Sequence, residues 1–160
     1  MDLSKLFALL LGFALIAGGS AAQASGLDEA FTQSTSGMKA QGARMKIIAQ
    51  NIANATSTGQ TPGSKPYRRK IILFKNKTDK KTGYKVVQVD KIASDKDTPL
   101  AKKFLPSHPA ADADGYVLLP NVNSSLESAD MKEAQRSYEA NLGAIETTKR
   151  MMSGTIDLLR

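Results

Sequence analysis

The sequence predicts a mainly α fold: long N- and C-terminal helices pairing as a coiled coil around a small, β-hairpin-rich middle. Three observations predict it. Apolar residues recur at helical spacing towards both ends of the chain. Between them, short runs rich in Ile, Val and Tyr are punctuated by Gly and Pro. The length, 160 residues, suits one domain, or one small domain carrying extended arms. Composition narrows the chemistry. The chain has no cysteine and a single histidine, His108. A disulfide framework, a thiol nucleophile, a Cys-based zinc site and a multi-His metal centre are therefore excluded. The net charge of +7 raises the question of an anionic partner.

Residues 1–24 read as an address. A short charged start precedes an almost wholly apolar run from Leu6 to Ala17, broken by Gly18, Gly19 and Ser20. Ala22-Gln23-Ala24 then places small residues where a signal peptidase cuts. The run falls short of the roughly 20 residues a membrane-spanning helix needs. A secretory signal peptide is the expectation, and an uncleaved membrane anchor is the alternative. Cleavage after Ala24 leaves 136 residues beginning at Ser25.

Residues 25–57 form the expected N-terminal helix. Leu27, Phe31, Met38, Met45, Ile48 and Ile52 keep one narrow stripe. Thr32 to Gly37 dilute it with poor helix formers, so the helix needs something packed against it. Asn51 and Asn54 share a face at its end. Their amides can satisfy the last free carbonyls or tie the helix to the following chain. Thr56 to Gly59 and Pro62-Gly63 end it.

Residues 58–123 form the expected small β-rich domain. Tyr67 to Phe74 and Tyr84 to Val89 read as a hairpin, joined by a long polar loop from Asn76 to Gly83. Thr98 to Pro109 carries three prolines and reads as an extended surface path. Tyr116 to Leu119 reads as a third strand, stopped by Pro120. Such short strands bury little, too little for an enzyme-sized core. The charge concentrates here. Residues 68–103 hold twelve basic and four acidic side chains, net +8, whereas residues 1–67 are +2 and residues 104–160 are −3. A basic hairpin of this kind serves as an anion-binding patch, as a solvated guard on an exposed edge strand, or as a complement to the acidic C-terminal third of a neighbouring copy. Aromatic residues are not interleaved with the lysines, which argues against nucleic acid.

Residues 124–160 form the expected C-terminal helix. Ser124 and Glu127 make a capping box. Met131, Ala134, Tyr138, Leu142, Ile145, Met152, Ile156 and Leu159 then follow close to a heptad seam. A seam of about 50 Å outruns what the first helix covers, and the remainder is an apolar strip for association. The expected assembly surface therefore comprises Met38, Met45, Ile48, Asn51, Ile52 and Asn54 at one end. At the other it comprises Tyr138, Asn141, Leu142, Ile145, Met152, Ile156 and Leu159.

Catalytic and metal motifs fail. Asp112, Asp114 and Gly115 resemble a fragment of a calcium loop, but the twelfth position is Asn123 instead of Glu, and a turn is expected. His108 lies in a loop without a nucleophile elbow. No phosphate-binding glycine loop occurs, no cofactor is implied, and no enzyme is expected. On the residues alone, a secreted basic module for anionic polymers stands as the alternative to an assembling structural protein.

Several segments carry a family resemblance. Arg44 to Ala55, followed by Thr56, Ser57 and a Gly-containing loop, resembles the N-terminal signature of bacterial flagellar rod and hook proteins. Pro66 to Lys70, Ser107 to Val117 and Pro120 to Asn123 resemble segments of the proximal-rod branch of that family. Arg136 to Asn141 and Lys149 to Met152 resemble its C-terminal helix signature. The resemblance spans roughly residues 26–160. It implies a non-catalytic, helically assembled subunit of the basal-body rod, spanning the periplasm. Its terminal helices would pair as a coiled coil around a central export channel, with the β domain outside. The implied partners are copies of itself, other rod proteins, and the basal-body ring and export apparatus. Nucleic acid and small-molecule substrates are not among them. One segment departs from the resemblance: rod proteins leave through the flagellar type III channel and lack a cleavable leader. An upstream start, delivery by the general secretory route, and a homologue repurposed outside the flagellum each account for residues 1–24.

Overall fold

A computed structural model describes the backbone from residue 3 to 157 and side chains from residue 26. The side chains of the expected leader, and Leu159 of the expected seam, lie outside the described residues. In chain order the elements are α1 (Leu3–Ala53), β1 (Lys70–Thr78), β2 (Lys85–Ser94), β3 (Lys102–Phe104), β4 (Tyr116–Leu118) and α2 (Ser124–Asp157). Two helices thus enclose two small antiparallel sheets, β1–β2 and β3–β4.

The helices lie side by side and antiparallel. Gly37 approaches Asn141, Gly42 approaches Tyr138, and Asn51 reaches Glu127. Gly37 has a packing reason: a Cβ there would sit 2.8 Å from the Asn141 amide oxygen. Helix α1 begins well before the expected residue 25. Its Leu- and Ala-rich start is itself strongly helix-forming, and each glycine in a helix costs only about 1 kcal/mol. It ends at Ala53, with residues 54–56 forming the turn. The least exposed positions of α2 include Glu127, Met131, Ala134, Tyr138, Asn141, Ile145 and Thr148, spaced four and three residues apart in turn. The observed seam therefore takes in polar Asn141 and Thr148. Leu142, expected in it, lies beside it and is exposed.

The hairpin differs from expectation in length. Lys75 and Lys77 belong to β1, and the connection is only the turn between Thr78 and Lys85. Alternation lets a strand run through polar residues when both faces are exposed. Asp79 organises the turn by accepting from the N–H groups of Lys81 at 2.7 Å and Thr82 at 3.3 Å. Gly83 supplies the left-handed backbone at φ 77°. A bulge at Leu73/Phe74 shifts the register, so that Leu73 faces Lys91 and Phe74 faces Val89.

The second hairpin was expected only in part. Lys102–Phe104, in the segment read as an extended path, pairs with Tyr116–Leu118. Phe104 and Tyr116 meet edge to face at 5.3 Å, and Val117 is buried beneath. Asp112 holds the connecting turn as expected, accepting from the N–H groups of Asp114 and Tyr116. His108 ties this loop to the segment that follows α1: its Nδ1 accepts from Ala110 N–H, which leaves Nε2–H to donate to Thr58 Oγ1 at 3.2 Å.

Candidate assembly site

The apolar core is small. Ala40, Ile47, Ile48, Val86, Ala110, Val117 and Ala134 are its buried members. Of the three largest side chains below 2 % exposure, Glu127 and Asn51 are polar. Burial of that kind is tolerated only with full hydrogen bonding, and the bonds are present.

Asn51 uses its whole amide. Its Oδ1 accepts from Tyr67 Oη and Lys70 N, both at 2.8 Å. Its Nδ2 donates to Lys70 O at 2.9 Å and Glu127 Oε2 at 3.0 Å. The N–H and C=O of one residue, Lys70, read both ends of the amide, which fixes its orientation. Glu127 accepts in addition from Arg69 Nε at 2.5 Å. Arg69 also approaches Asp130 at 3.5 Å, and Arg44 approaches Asp130 at 3.8 Å. Asn121 anchors the same corner, accepting from Arg69 N at 2.8 Å and donating to the carbonyls of Asp95 and Thr98. One knot therefore joins α1, the start of β1 and the first turn of α2. Only Glu127 of these ionic groups is buried; Arg69 and Asp130 keep 31 % and 41 % of their side-chain surface exposed, so solvent screening keeps their net contribution modest. Burial, and then the nearby Glu127 charge, push the Tyr67 phenol above its ordinary pKa, so it remains a donor at neutral pH.

Glu127 overturns the expected capping box. The cap is Asn123, whose Oδ1 accepts from Ser125 N at 3.0 Å and Leu126 N at 3.2 Å. That releases the Glu127 carboxylate to point into the knot. Asn54 behaves as a helix-end amide, its Nδ2 donating to Gln50 O at 2.8 Å.

The expected assembly residues divide between two environments. Ile48 and Asn51 are buried, and Met38, Met45, Ile52, Asn54, Tyr138, Asn141 and Ile145 are half-buried. Leu142, Met152 and Ile156 are exposed, Ile156 by 65 %. Every residue from Met151 to Asp157 is exposed. Within the described residues, then, the last two turns of α2 carry an apolar surface that α1 leaves bare. Sequence reasoning missed Glu127, Arg69, Tyr67 and Asn121 as members of the knot. Each is a common polar residue, and only the fold brings them within reach of Asn51.

Residues 33–59 match the family model described as flagella basal body rod protein. Residues 113–158 match the model for the C-terminal part of the flagellar basal body rod FlgEFG proteins. The flagellar basal-body rod protein FlgC of Agrobacterium fabrum is 46 % identical over 125 residues, which covers 78 % of this chain and 89 % of that protein. The chain belongs to the FlgC family of flagellar basal-body rod proteins. FlgC of Borreliella burgdorferi is 37 % identical over 155 residues, covering 84 % of this chain and 99 % of its own length. FlgC of Salmonella typhimurium is 39 % identical over 126 residues, covering 77 % and 90 %. As a FlgC-family chain it is a structural basal-body protein, not an enzyme. The two family-model matches fall on the end of α1, with Asn51, and on α2, with Glu127.

Proposed function

We propose that this chain is a helically assembling subunit of the proximal rod, and that its terminal helices form the polymer contact. The observation that carries this reading is the bare apolar end of α2, with Met151, Met152 and Ile156 exposed, together with exposed Leu142 beside the seam. A helix face of that character, on a chain with so few buried apolar residues, gains stability by packing against a neighbour. The alternating four-and-three spacing of the seam supports coiled-coil pairing of α1 and α2. In this reading the helix pairs of successive subunits line a hollow shaft and the β hairpins lie outside. The neighbours are copies of the chain, other rod proteins, and the ring and export apparatus, in a shaft spanning the periplasm.

The native chain has no cysteine, so an introduced thiol is unique. Ile156→Cys and Leu142→Cys should yield intermolecular cross-links in purified basal bodies, while Lys81→Cys at the hairpin tip should not cross-link through the same partners. Cross-links absent at both α2 positions in intact rods contradict the reading. Residues 1–24 are proposed as a leader removed before assembly. Subunit recovered from basal bodies should then begin at Ser25, and recovery of Met1 would count against removal.

A further inference from the structure

The outer edge of β1 is open. Ladder parity decides which backbone groups face outward. At the base, the N–H and C=O of Lys70 both leave the ladder to bond Asn51. Near the tip, Val87, opposite Asn76, turns its N–H away from β1 to Ser36 Oγ at 3.2 Å. The inner bonds Asp95 N to Arg69 O and Asp79 N to Tyr84 O keep the same parity at both ends. Ile72, Phe74, Asn76 and Thr78 therefore direct their N–H and C=O groups away from β2. Among the described residues these groups meet no hydrogen-bond partner. Beside the base of this edge lies a cleft of about 340 Å³, lined by Ile72 and Phe74 together with Arg44 and Ile48 of α1 and Asp130 of α2.

The side chains along the edge say what fits there. Ile72 and Phe74 are apolar on one face, and Leu73 on the other is 41 % exposed. Towards the tip the strand carries Lys75 and Lys77, with Lys85 across the ladder. Lysines on an open edge repel another basic edge, including β1 of a second copy, and favour an acidic one. The acidic side chains of the hairpin are already engaged, Asp90 with Lys75 and Asp79 with its own turn, so of these lysines Lys77 and Lys85 are left to face a partner. We infer that the β1 edge accepts an extended, acidic segment of a partner protein as an added strand. The repeat of outward groups along β1, two residues or about 6.8 Å, matches a peptide that donates and accepts in alternation. A polysaccharide or nucleic acid would use only the cations. This inference concerns the hairpin and is independent of the α2 contact proposed for rod assembly.

The test uses the full chain and a labelled octapeptide of alternating Val and Glu. The peptide should bind and should slow amide exchange at Ile72, Phe74, Asn76 and Thr78. An octapeptide of alternating Val and Lys should bind at least roughly tenfold more weakly. Asn76→Pro removes one outward N–H without touching an inner ladder bond, and should weaken binding roughly tenfold, about the worth of one hydrogen bond. Lys77→Gln should weaken it less and flatten its salt dependence. Failure of the Val-Glu peptide to bind overturns the inference. So does binding that Asn76→Pro leaves unchanged, or full competition by heparin with the four amides unprotected, either of which marks a general polyanion surface. If Asn76→Pro perturbs the fold, amide protection in the unaltered chain decides the matter.

Discussion

Asn51 is the side chain through which three segments of the chain agree on their positions. Its replacement by Ala leaves Lys70 N–H, Lys70 C=O and Tyr67 Oη without a partner at the centre of the knot, and leaves Glu127 with Arg69 alone. A loss of about 4 kcal/mol is expected, since each stranded buried group costs about 1–3 kcal/mol, read by urea denaturation. Asn51→Asp keeps the shape but sets a carboxylate against Glu127. It should be similarly damaging at neutral pH and be partly restored by adding Glu127→Gln, which returns a donor to that contact. Additive effects in the double variant would deny the pairing. Titration follows from the same surroundings. Thr98 N–H, then the Thr98 hydroxyl, then Asp97 N–H and the Arg69 charge hold Asp95 below the ordinary carboxylate pKa. The hydrogen bond and charge of Lys75 do the same for Asp90. Each favours the ionised form in the fold, so its contribution is present above the unfolded pKa of about 4 and is lost as pH falls through the lowered value. Tyr67 has the opposite sign. Its raised pKa favours the neutral phenol, so that contribution is present below about pH 10 and is lost as pH rises further. Thermal melts should be flat between these limits and fall outside both, and Tyr67→Phe should reduce the alkaline loss. The sequence placed Asn51 at the helix end and left two roles open for its amide, the last free carbonyls or the following chain; its bonds to Lys70 take the second. Its contact with Glu127 was not legible, because a residue 76 positions away leaves no local signal.

At the scale of elements, α2 shows why a local motif misleads. Ser124 with Glu127 has the spacing of a capping box, yet Asn123 one residue earlier supplies the cap. Both residue types cap helices, and the tie is broken by tertiary contact, since Glu127 is worth more inside the knot than against its own helix end. Asn123→Ala should therefore cost about 1 kcal/mol, and Ser124→Ala should be near neutral in the same denaturation experiment. The reverse order would restore the box. The strands divide in a similar way. The Ile- and Val-rich parts of β1 and β2 were legible because β-branched residues bound by turns form strands. The extension through Lys75 and Lys77 was not, because alternation carries information only where one face is buried. β3 was hidden by Pro99 and Pro106, which flank it without interrupting it. Gly59 is a further element-scale constraint. A Cβ there would fall 2.6 Å from the Ser64 carbonyl oxygen, so Gly59→Ala should destabilise the turn after α1 by about 1–3 kcal/mol.

At the scale of the whole molecule, the chain is an antiparallel helix pair carrying two hairpins, with a buried polar knot at the Asn51 corner. Few apolar side chains are buried, and the free end of α2 presents Met151, Met152 and Ile156 to solvent. Such an architecture suits a subunit completed by its neighbours. The two-helix frame was legible from length and periodicity, since two stripes at opposite ends of a short chain have little else to pack against. The division of the C-terminal stripe into a covered seam and a bare end was not legible, because one apolar pattern serves an internal partner and an external one equally well. Polymer contact through that bare end is the central claim. Its most direct measurement is the amount of Ile156→Glu and Met152→Glu subunit recovered in purified basal bodies, beside circular dichroism of the same variants. Native dichroism with incorporation and motility lost is expected; normal rods with full incorporation would show that the bare end of α2 makes no polymer contact.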